Sequence, residues 1–522
     1  MPKKIIIPLL LLLFLAALAF RVIYSLFPPQ LNGDTAVCAL MAKHILELRH
    51  FPVYMYRAHY GGTLPSYIGA FLFRLFGVST STYFITGILF SCGWVLFTIM
   101  LAKRLLNYYG FIAALVLVLF PPVQVLAHSL NAGAAHAEGL LFGSLLLLLL
   151  FYWKEARYPK PKMMYLGLGF FCGLAMWSTP SATPFLLTVV TVYLLEERKR
   201  LSLGRGGLFL SGFLLGYLPA IIYNVQYPGL SLFRMAGKIL DLDRSVLASP
   251  QLVRIVMERV IWRLSTVPLS LMKILPLLFS LQGALNSLLF LFALVFILKE
   301  EISNFSKDKR FNFWGIMLIF VLFFILFYAL FIGTDTPRYM LPLYAVAPIF
   351  IGRLLSKIAR KSRPIFIILF ICILMHNTYQ IGYSLMHKNI FHYRQLVEWL
   401  SEKGFRYGYS DYWTSYPVMF ESKEEVLLSP TIFSPDFSDR YPEYTRKVRM
   451  AENPVYVITH AMYPDLTTVM EKQLASLKIN YKKDVLGEFS IYHAFSRKVY
   501  PEEFDWEGFS PKKITRKTGA GI

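Results

Sequence analysis

Long apolar runs recur through the first 385 residues, each near the roughly 20 residues that a helix needs to cross the hydrocarbon of a bilayer. On that criterion about eleven spans can be counted, beginning near Ile5, Thr82, Phe111, Ala134, Met163, Ser181, Gly206, Ile274, Trp314, Pro337 and Pro364. The runs at Met163 and Ser181 are separated only by Trp177, Ser178, Thr179 and Pro180, and Pro180 is the feature that predicts a break there. From about His387 the pattern changes to a mixed polar sequence. Tyr393, Leu396, Val397 and Leu400 recur at helical spacing, with Gly404 placed as a C-terminal cap. Short β-like runs follow at Arg406–Ser410, Glu425–Ser429, Val455–Thr459 and Phe489–Phe495, with a helix from Pro464 to Leu477.

The fold these patterns predict is a polytopic α-helical membrane protein followed by a small extracytoplasmic α/β domain. Residues 1–386 form the transmembrane part, with outer loops at 28–80 and 225–273; residues 387–500 form the α/β domain, and 501–522 a basic tail expected to be flexible. No internal repeat and no Walker, Rossmann or zinc pattern occurs. Composition agrees: 56% hydrophobic, 16% charged and a mean hydropathy of +0.51 are too apolar for an ordinary soluble chain of 522 residues.

Charge sets the expected orientation. Lys3 and Lys4, Lys103 and Arg104, Lys154 to Lys162, Arg198 to Arg205, Lys299 to Arg310 and Arg353 to Arg363 fall in alternate loops, while the turns around Asn131 and Thr179 carry no basic residue. Basic loops stay cytoplasmic, so the N-terminus is expected inside and the C-terminal domain outside, in a multi-pass protein of the cell (inner or plasma) membrane. The formal charge of +22 then meets anionic headgroups and calls for no nucleic acid. Cys38, Cys92, Cys172 and Cys372 are widely spaced and read as small buried hydrophobes.

The acids that stand out lie on the predicted outer face. Asp34 directly follows the first span, within Asn32, Gly33, Asp34 and Thr35; it reads either as a helix N-cap or as a general base at the membrane surface. His59, Tyr60, Gly61 and Gly62 open a turn whose exposed amides suit a phosphate or sugar oxygen, or else simply lead into an interfacial helix. His128, Asn131, His136 and Glu138 cluster near the outer ends of two spans, where ionisable groups are costly and default to function; lipid headgroups wetting an interface are the alternative. His136 and Glu138 are two apart and do not share a helical face, so that pair makes no metal site by itself. Asp335, Thr336, Pro337, Arg338 and Tyr339 begin a late span, with Arg338 a fork for phosphate or a snorkelling anchor. Arg234, Lys238, Arg244, Arg254, Arg259, Arg263 and Lys273 mark interfacial helices between Tyr227 and Lys273, a cover over the site or a surface on anionic lipid.

The order of these features resembles the GT-C superfamily of membrane glycosyltransferases, including the protein O-mannosyltransferases and the aminoarabinose transferases that modify lipid A. The match covers about the first 385 residues: Asp34 in the first outer loop, GGTLPSY running into FRLFG, HAEG at the fourth span and PRYMLPLY at a late span. The resemblance implies inverting transfer of a monosaccharide from a polyprenyl-phosphate carrier to a glycan, lipid or protein acceptor on the outer face. Asp34 would be the general base and Glu138 the second acid. Arg338, Tyr339 and His59 would hold the donor phosphate and lipid, and Tyr60, Gly61, Gly62, Asn131 and His136 the substrate. The lipid-phosphate sugar is a substrate and no cofactor is implied. Thr35 stands where many members carry a second acid, which argues against a paired-carboxylate or metal-dependent version, so the reaction is expected to be metal-independent, with a divalent ion left open. GGTLPSY replaces the lysine-and-proline motif of the lipid A enzymes, so their acceptor does not transfer. Ser410, Asp411, Tyr412 and Trp413 resemble an oligosaccharyltransferase acceptor motif only superficially. The competing class is a lipid or lipid-linked sugar transporter, which broken helices or half-to-half symmetry would favour; a non-catalytic scaffold is the third.

Overall fold

The computed structural model describes the chain except residues 1–2, 27–29, 134, 158–159, 198–201, 229, 232–250, 309–311, 333–335, 389, 433–438 and 505–522. Asp335, Arg234, Lys238, Arg244 and nearly all of the basic tail therefore lie outside the described residues. The chain divides into two compact units. The first comprises Met1–Phe27, His59–Leu64 and Thr86–Lys388; the second comprises Pro28–Ala58, Pro65–Ile85 and Asn389–Ile522.

The described helices run in order α1 (Lys3–Leu26), α2 (Gly33–Leu46), α3 (Leu64–Phe76), α4 (Thr80–Leu105), α5 (Tyr108–Leu119), α6 (Val123–Ser129), α7 (His136–Glu155), α8 (Lys162–Ser178), α9 (Thr183–Glu197), α10 (Leu203–Gly216) and α11 (Leu218–Gln226). Helices Leu252–Ser265, Val267–Asp308, Phe313–Phe327, Ala347–Lys361 and Arg363–Met386 follow. Among the described residues five helices are long and apolar enough to cross a membrane, or up to eight when each bent pair counts as one span. The bent pairs are α5 with α6 (65°), α10 with α11 (63°), and Pro337–Ala345 with Ala347–Lys361 (57°). Helix Val267–Asp308 is itself broken at Gly283, where φ is +74°. The chain breaks at Pro180 as the sequence predicts: α8 ends at Ser178, and the Thr179 hydroxyl accepts from the Ser181 amide to start a short 3-10 turn.

Two contacts show why these helices pack as they do. Gly169 and Gly173 on α8 face Gly212 and Gly216 on α10. A Cβ at these positions would lie 2.0 Å from the Phe209 carbonyl oxygen, 2.1 Å from that of Phe213, 2.1 Å from that of Leu166 and 2.0 Å from that of Phe170. The two backbones touch directly, the route by which helices associate where lipid offers no hydrophobic driving force.

At the α5–α6 bend Pro121 and Pro122 have no N–H, so the carbonyls of Leu117 and Val118 lose their helical donors. Side chains from elsewhere replace them. The Tyr344 hydroxyl donates to Leu117 O (3.1 Å), and Arg21 donates to Val118 O (3.0 Å) and Leu119 O (3.1 Å). Asn377 donates to Phe120 O (2.9 Å), while Arg21 Nε also reaches the Ser91 hydroxyl (2.9 Å). A freed backbone group inside a bilayer needs such a partner.

Buried acids are not confined to the segments singled out from sequence. Glu197, at the end of α9, accepts from Tyr165 and Arg205, and Glu301 accepts from Asn304 and Asn312. Arg205 lowers the cost of burying Glu197, and Glu301, inside helix Val267–Asp308, is satisfied by the two asparagine amides.

The second unit joins α2 and α3 to a five-stranded sheet of β1 (Tyr407–Tyr409), β2 (Leu427–Ser429), β3 (Val455–Thr459), β4 (Lys482–Leu486) and β5 (Phe489–His493), in order β2-β1-β3-β5-β4. β1 runs parallel to β2 and β3, and β5 antiparallel to β3 and β4. The helix at Tyr393 ends with Gly404 at φ +75°, as its capping role requires. β4 escapes the sequence pattern because its side chains are mostly exposed at the sheet edge. Helix Tyr412–Glu421 escapes it because aromatic and β-branched residues and an internal Pro417 read against a helix. The structure resolves that conflict locally: Asp411 accepts from the Trp413 and Thr414 amides as N-cap, and the Trp413 carbonyl, which Pro417 leaves without a helical donor, accepts from the Tyr393 hydroxyl (3.3 Å). Ala36, Val37, Leu40 and Met41 of α2 share one core with Tyr412, Tyr416, Met419 and Phe420 of this helix.

Candidate functional site

The candidate residues fall in both units, and each group is built separately. In the second unit Asp34 sits in the first turn of α2, half-buried. It is not the N-cap. Asn32 holds that position, its Oδ1 accepting from the Thr35 amide (2.9 Å) and hydroxyl (3.0 Å). With the cap supplied by its neighbour, the Asp34 carboxylate is released from local duty while it still benefits from the positive end of the helix. Its Oδ1 accepts a hydrogen bond of 2.6 Å from the Tyr412 hydroxyl, 378 positions away in sequence.

Gly33 makes that contact possible, since a Cβ there would lie 2.7 and 2.9 Å from carbons of the Tyr412 ring. The Arg440 guanidinium stands 5.7 Å from the centre of the same ring. Burial, followed by the charge of Asp34, pushes the Tyr412 phenol well above its ordinary range. It is a donor at any working pH.

In the first unit Glu138 lies in the first turn of α7 and is 1% exposed. Its Oε1 accepts from the Gly133 amide (2.8 Å), and its buried Oε2 has no hydrogen-bond partner among the described residues. The backbone there is unusual, with Gly133 at φ +101° and Ala135 at φ +63°. The Thr179 hydroxyl donates to the Ala135 carbonyl (3.0 Å), tying this turn to the break after α8.

His128 from α6, His136 from α7 and Tyr339 from the 3-10 segment Pro337–Ala345 form a chain of edge-on rings, each 5.8 Å from the next. The Arg338 guanidinium lies 5.7 Å from the Tyr339 ring and acts electrostatically on His128. Its buried Nε has no hydrogen-bond partner among the described residues. Three elements, contributing residues up to 211 positions apart in sequence, thus bring one cation, two imidazoles and a phenol together.

The segment 59–64 belongs to the same unit. His59 Nδ1 is 2.5 Å from the Tyr223 hydroxyl, and the Gly62 amide donates to the Ser178 carbonyl (3.0 Å). Gly62 is thereby engaged by the fold, whereas nothing lies within 4 Å of a Cβ built at Gly61, whose φ is +77°. Tyr60 and Asn131 are half-buried, and the Asn131 amide donates to the His128 carbonyl (3.4 Å).

Sequence reasoning named Tyr412 only within the Ser410–Trp413 run and Ser178 and Thr179 only as a break between helices, pairing none of them with a site residue, and it missed Arg440 and Tyr223. The YW pair after Asp411 was the only local signal, since the other partners carry no motif. Among the described residues no three His, Cys, Asp or Glu side chains gather to hold a metal ion.

No family model matches the chain, and no curated protein sequence does. Solved structures do match. ArnT from Cupriavidus metallidurans bound to undecaprenyl phosphate superposes with a TM-score of 0.61 at 11% identity, over 92% of this chain and 97% of that one. The oligosaccharyltransferase of Archaeoglobus fulgidus in its apo form gives 0.53 at 12% identity, over 85% and 69%. Archaeal AglB from the same organism, in complex with an inhibitory peptide and a dolichol-phosphate, gives 0.51 at 12% identity, over 95% and 75%. The chain has the GT-C fold of these proteins.

Proposed function

We propose, with the GT-C fold as premise, that this protein is an integral-membrane glycosyltransferase that moves a monosaccharide from a polyprenyl-phosphate carrier to an acceptor on the outer face of the cell membrane, with inversion. The observation that carries the reading is Asp34: a carboxylate at a helix start, excused from capping by Asn32, in a chain whose fold matches ArnT over 92% of its length. Undecaprenyl phosphate in ArnT and dolichol-phosphate in AglB support a lipid-phosphate donor.

In this mechanism the acceptor's nucleophilic atom attacks the anomeric carbon as the bond from that carbon to the phosphate oxygen breaks. Asp34 takes the acceptor's proton, and the bonding pair leaves on the lipid phosphate. Arg338, whose Nε has no hydrogen-bond partner among the described residues, offsets the charge on that phosphate, where water is scarce and a fixed cation counts for most. His59, Tyr339 and His136 help hold the head group, Gly61 allows close approach, and Glu138 serves as a second acid.

The test is transfer of radiolabelled sugar from a panel of polyprenyl-phosphate monosaccharides by the purified chain and by Asp34→Asn. Label should move only with the unmodified protein, and the loss should reach at least about a hundredfold, the span of general-base catalysis. Near-normal turnover in Asp34→Asn removes Asp34 from the mechanism.

A second reading has one observation in its favour: three bent spans and the break at Gly283 are the discontinuous helices that transporters use. In that case the protein would carry a lipid-linked sugar across the bilayer in vesicles with the sugar still attached.

A further inference from the structure

We propose that Tyr412 is a positioning residue for Asp34: its hydroxyl fixes the carboxylate through Oδ1, so that Oδ2 is the oxygen presented to the acceptor's proton. The inference rests on the reading of Asp34 as general base.

The geometry supports each part. A separation of 2.6 Å is that of an O–H donor on a charged acceptor, a bond stronger than its neutral counterpart. A carboxylate accepts at both oxygens, so occupying one from a fixed direction leaves the other as the basic site. The phenol is itself held. Its helix is capped by Asp411, its ring meets Trp413 and Tyr416 at centroid distances of 5.1 Å, and Arg440 stands over it.

Gly33 is the second, independent sign, because any larger residue would drive the ring away from the carboxylate. The charged and titratable groups acting on Tyr412 are Asp34, Arg440 and Tyr416, with Asp439 acting in turn on Tyr416. On α2 itself Lys43 and His44 lie in the last turn, at the far end from Asp34. The base of the first loop is therefore completed by a residue of the C-terminal sequence. That gives the α/β part of the chain a role in the chemical step besides any binding of the acceptor.

The test uses the full chain in detergent with Tyr412→Phe, Gly33→Ala and Asp34→Asn. The first readout is the rate of carbodiimide coupling at Asp34 at one fixed pH, followed by peptide mass spectrometry with Asp34→Asn as the blank; it needs no turnover. Removing the donor opens Oδ1 and frees the carboxylate to turn, so Tyr412→Phe should raise the coupling rate about threefold, and Gly33→Ala in the same direction. The second readout is transfer: kcat should fall about tenfold, and KM for the donor should stay within about twofold. An unchanged coupling rate in Tyr412→Phe overturns the proposal, as does a loss of activity that appears wholly in KM. Full turnover by Asp34→Asn would instead overturn the general-base reading, and a change in coupling rate at Asp34 would stand apart from that result.

Discussion

In the first unit Arg21, 1% exposed, spends its guanidinium on backbone carbonyls and a serine; in the second, Glu424 gathers other charges around it. Lys43, Arg49, His44 and Tyr444 all reach the Glu424 carboxylate, the last two at 3.1 and 2.8 Å. Both arrangements satisfy a buried charge. They differ in what had to be satisfied. A bent span in a bilayer strands carbonyls that water cannot reach, so a long cationic fork is used as a backbone cap. Around Glu424 the charges meet one another instead and join segments distant in sequence, here the last turn of α2 and residues near 424 and 444.

The largest effect should follow from Gly173→Leu, which forces a branched side chain into the 2.1 Å gap before the Phe213 carbonyl. Overpacking costs about 1–3 kcal/mol where side chains can yield and more where backbone is the obstacle. The α8–α10 pair should part, and folded protein recovered from membranes should drop severely; normal recovery would show that the contact is dispensable. Arg21→Met comes next. It strands the Val118 and Leu119 carbonyls at about 1–3 kcal/mol each before relaxation, while the Ser91 hydroxyl keeps Ser129, so thermal unfolding in detergent should fall markedly. A change no larger than that of an exposed control would mean that the bend supports itself.

Glu424→Gln should cost about 2 kcal/mol at neutral pH, somewhat under the range for breaking a fully buried pair, and it should alter the acid response. Burial alone would raise the Glu424 carboxyl, but the hydrogen bonds from His44, Arg49 and Lys43 outweigh it and hold the group far below its ordinary 4.5. Its contribution is present above about pH 4.5 and is lost as pH falls below that value. The His44 imidazole is held below its ordinary 6.5, chiefly by burial, so protons favour the unfolded chain as pH falls through about 6.5. Stability of this region should thus decline in two stages on acidification, and Glu424→Gln should remove the lower stage. A variant that keeps the lower stage would assign it to another carboxylate.

How much was legible follows from the same physics. Apolar length is demanded residue by residue by the bilayer, so each predicted run appears as a helix, and the break at Pro180 was visible in one residue. Asp34 and Glu138 stood out as acids beside apolar runs. Their partners did not: nothing near Asp34 in sequence points to Tyr412, and nothing near His59 points to Tyr223. Gly169, Gly173, Gly212 and Gly216 carried a small-residue spacing that could have been read as a helix contact. Pro121 and Pro122 could have been read as a bend, but nothing beside them points to Arg21, Tyr344 or Asn377 as its supports.

By itself the sequence determined that the chain is largely apolar helix with a mixed α/β part after His387, because periodicity and length are local properties. Tertiary structure alone decided that Asn32 caps α2, that the Tyr412 hydroxyl meets Asp34, and that His128, His136, Arg338 and Tyr339 form one cluster. The Tyr412–Asp34 and His136–Tyr339 pairings join positions hundreds of residues apart, and only packing fixes which distant side chain fills a given gap.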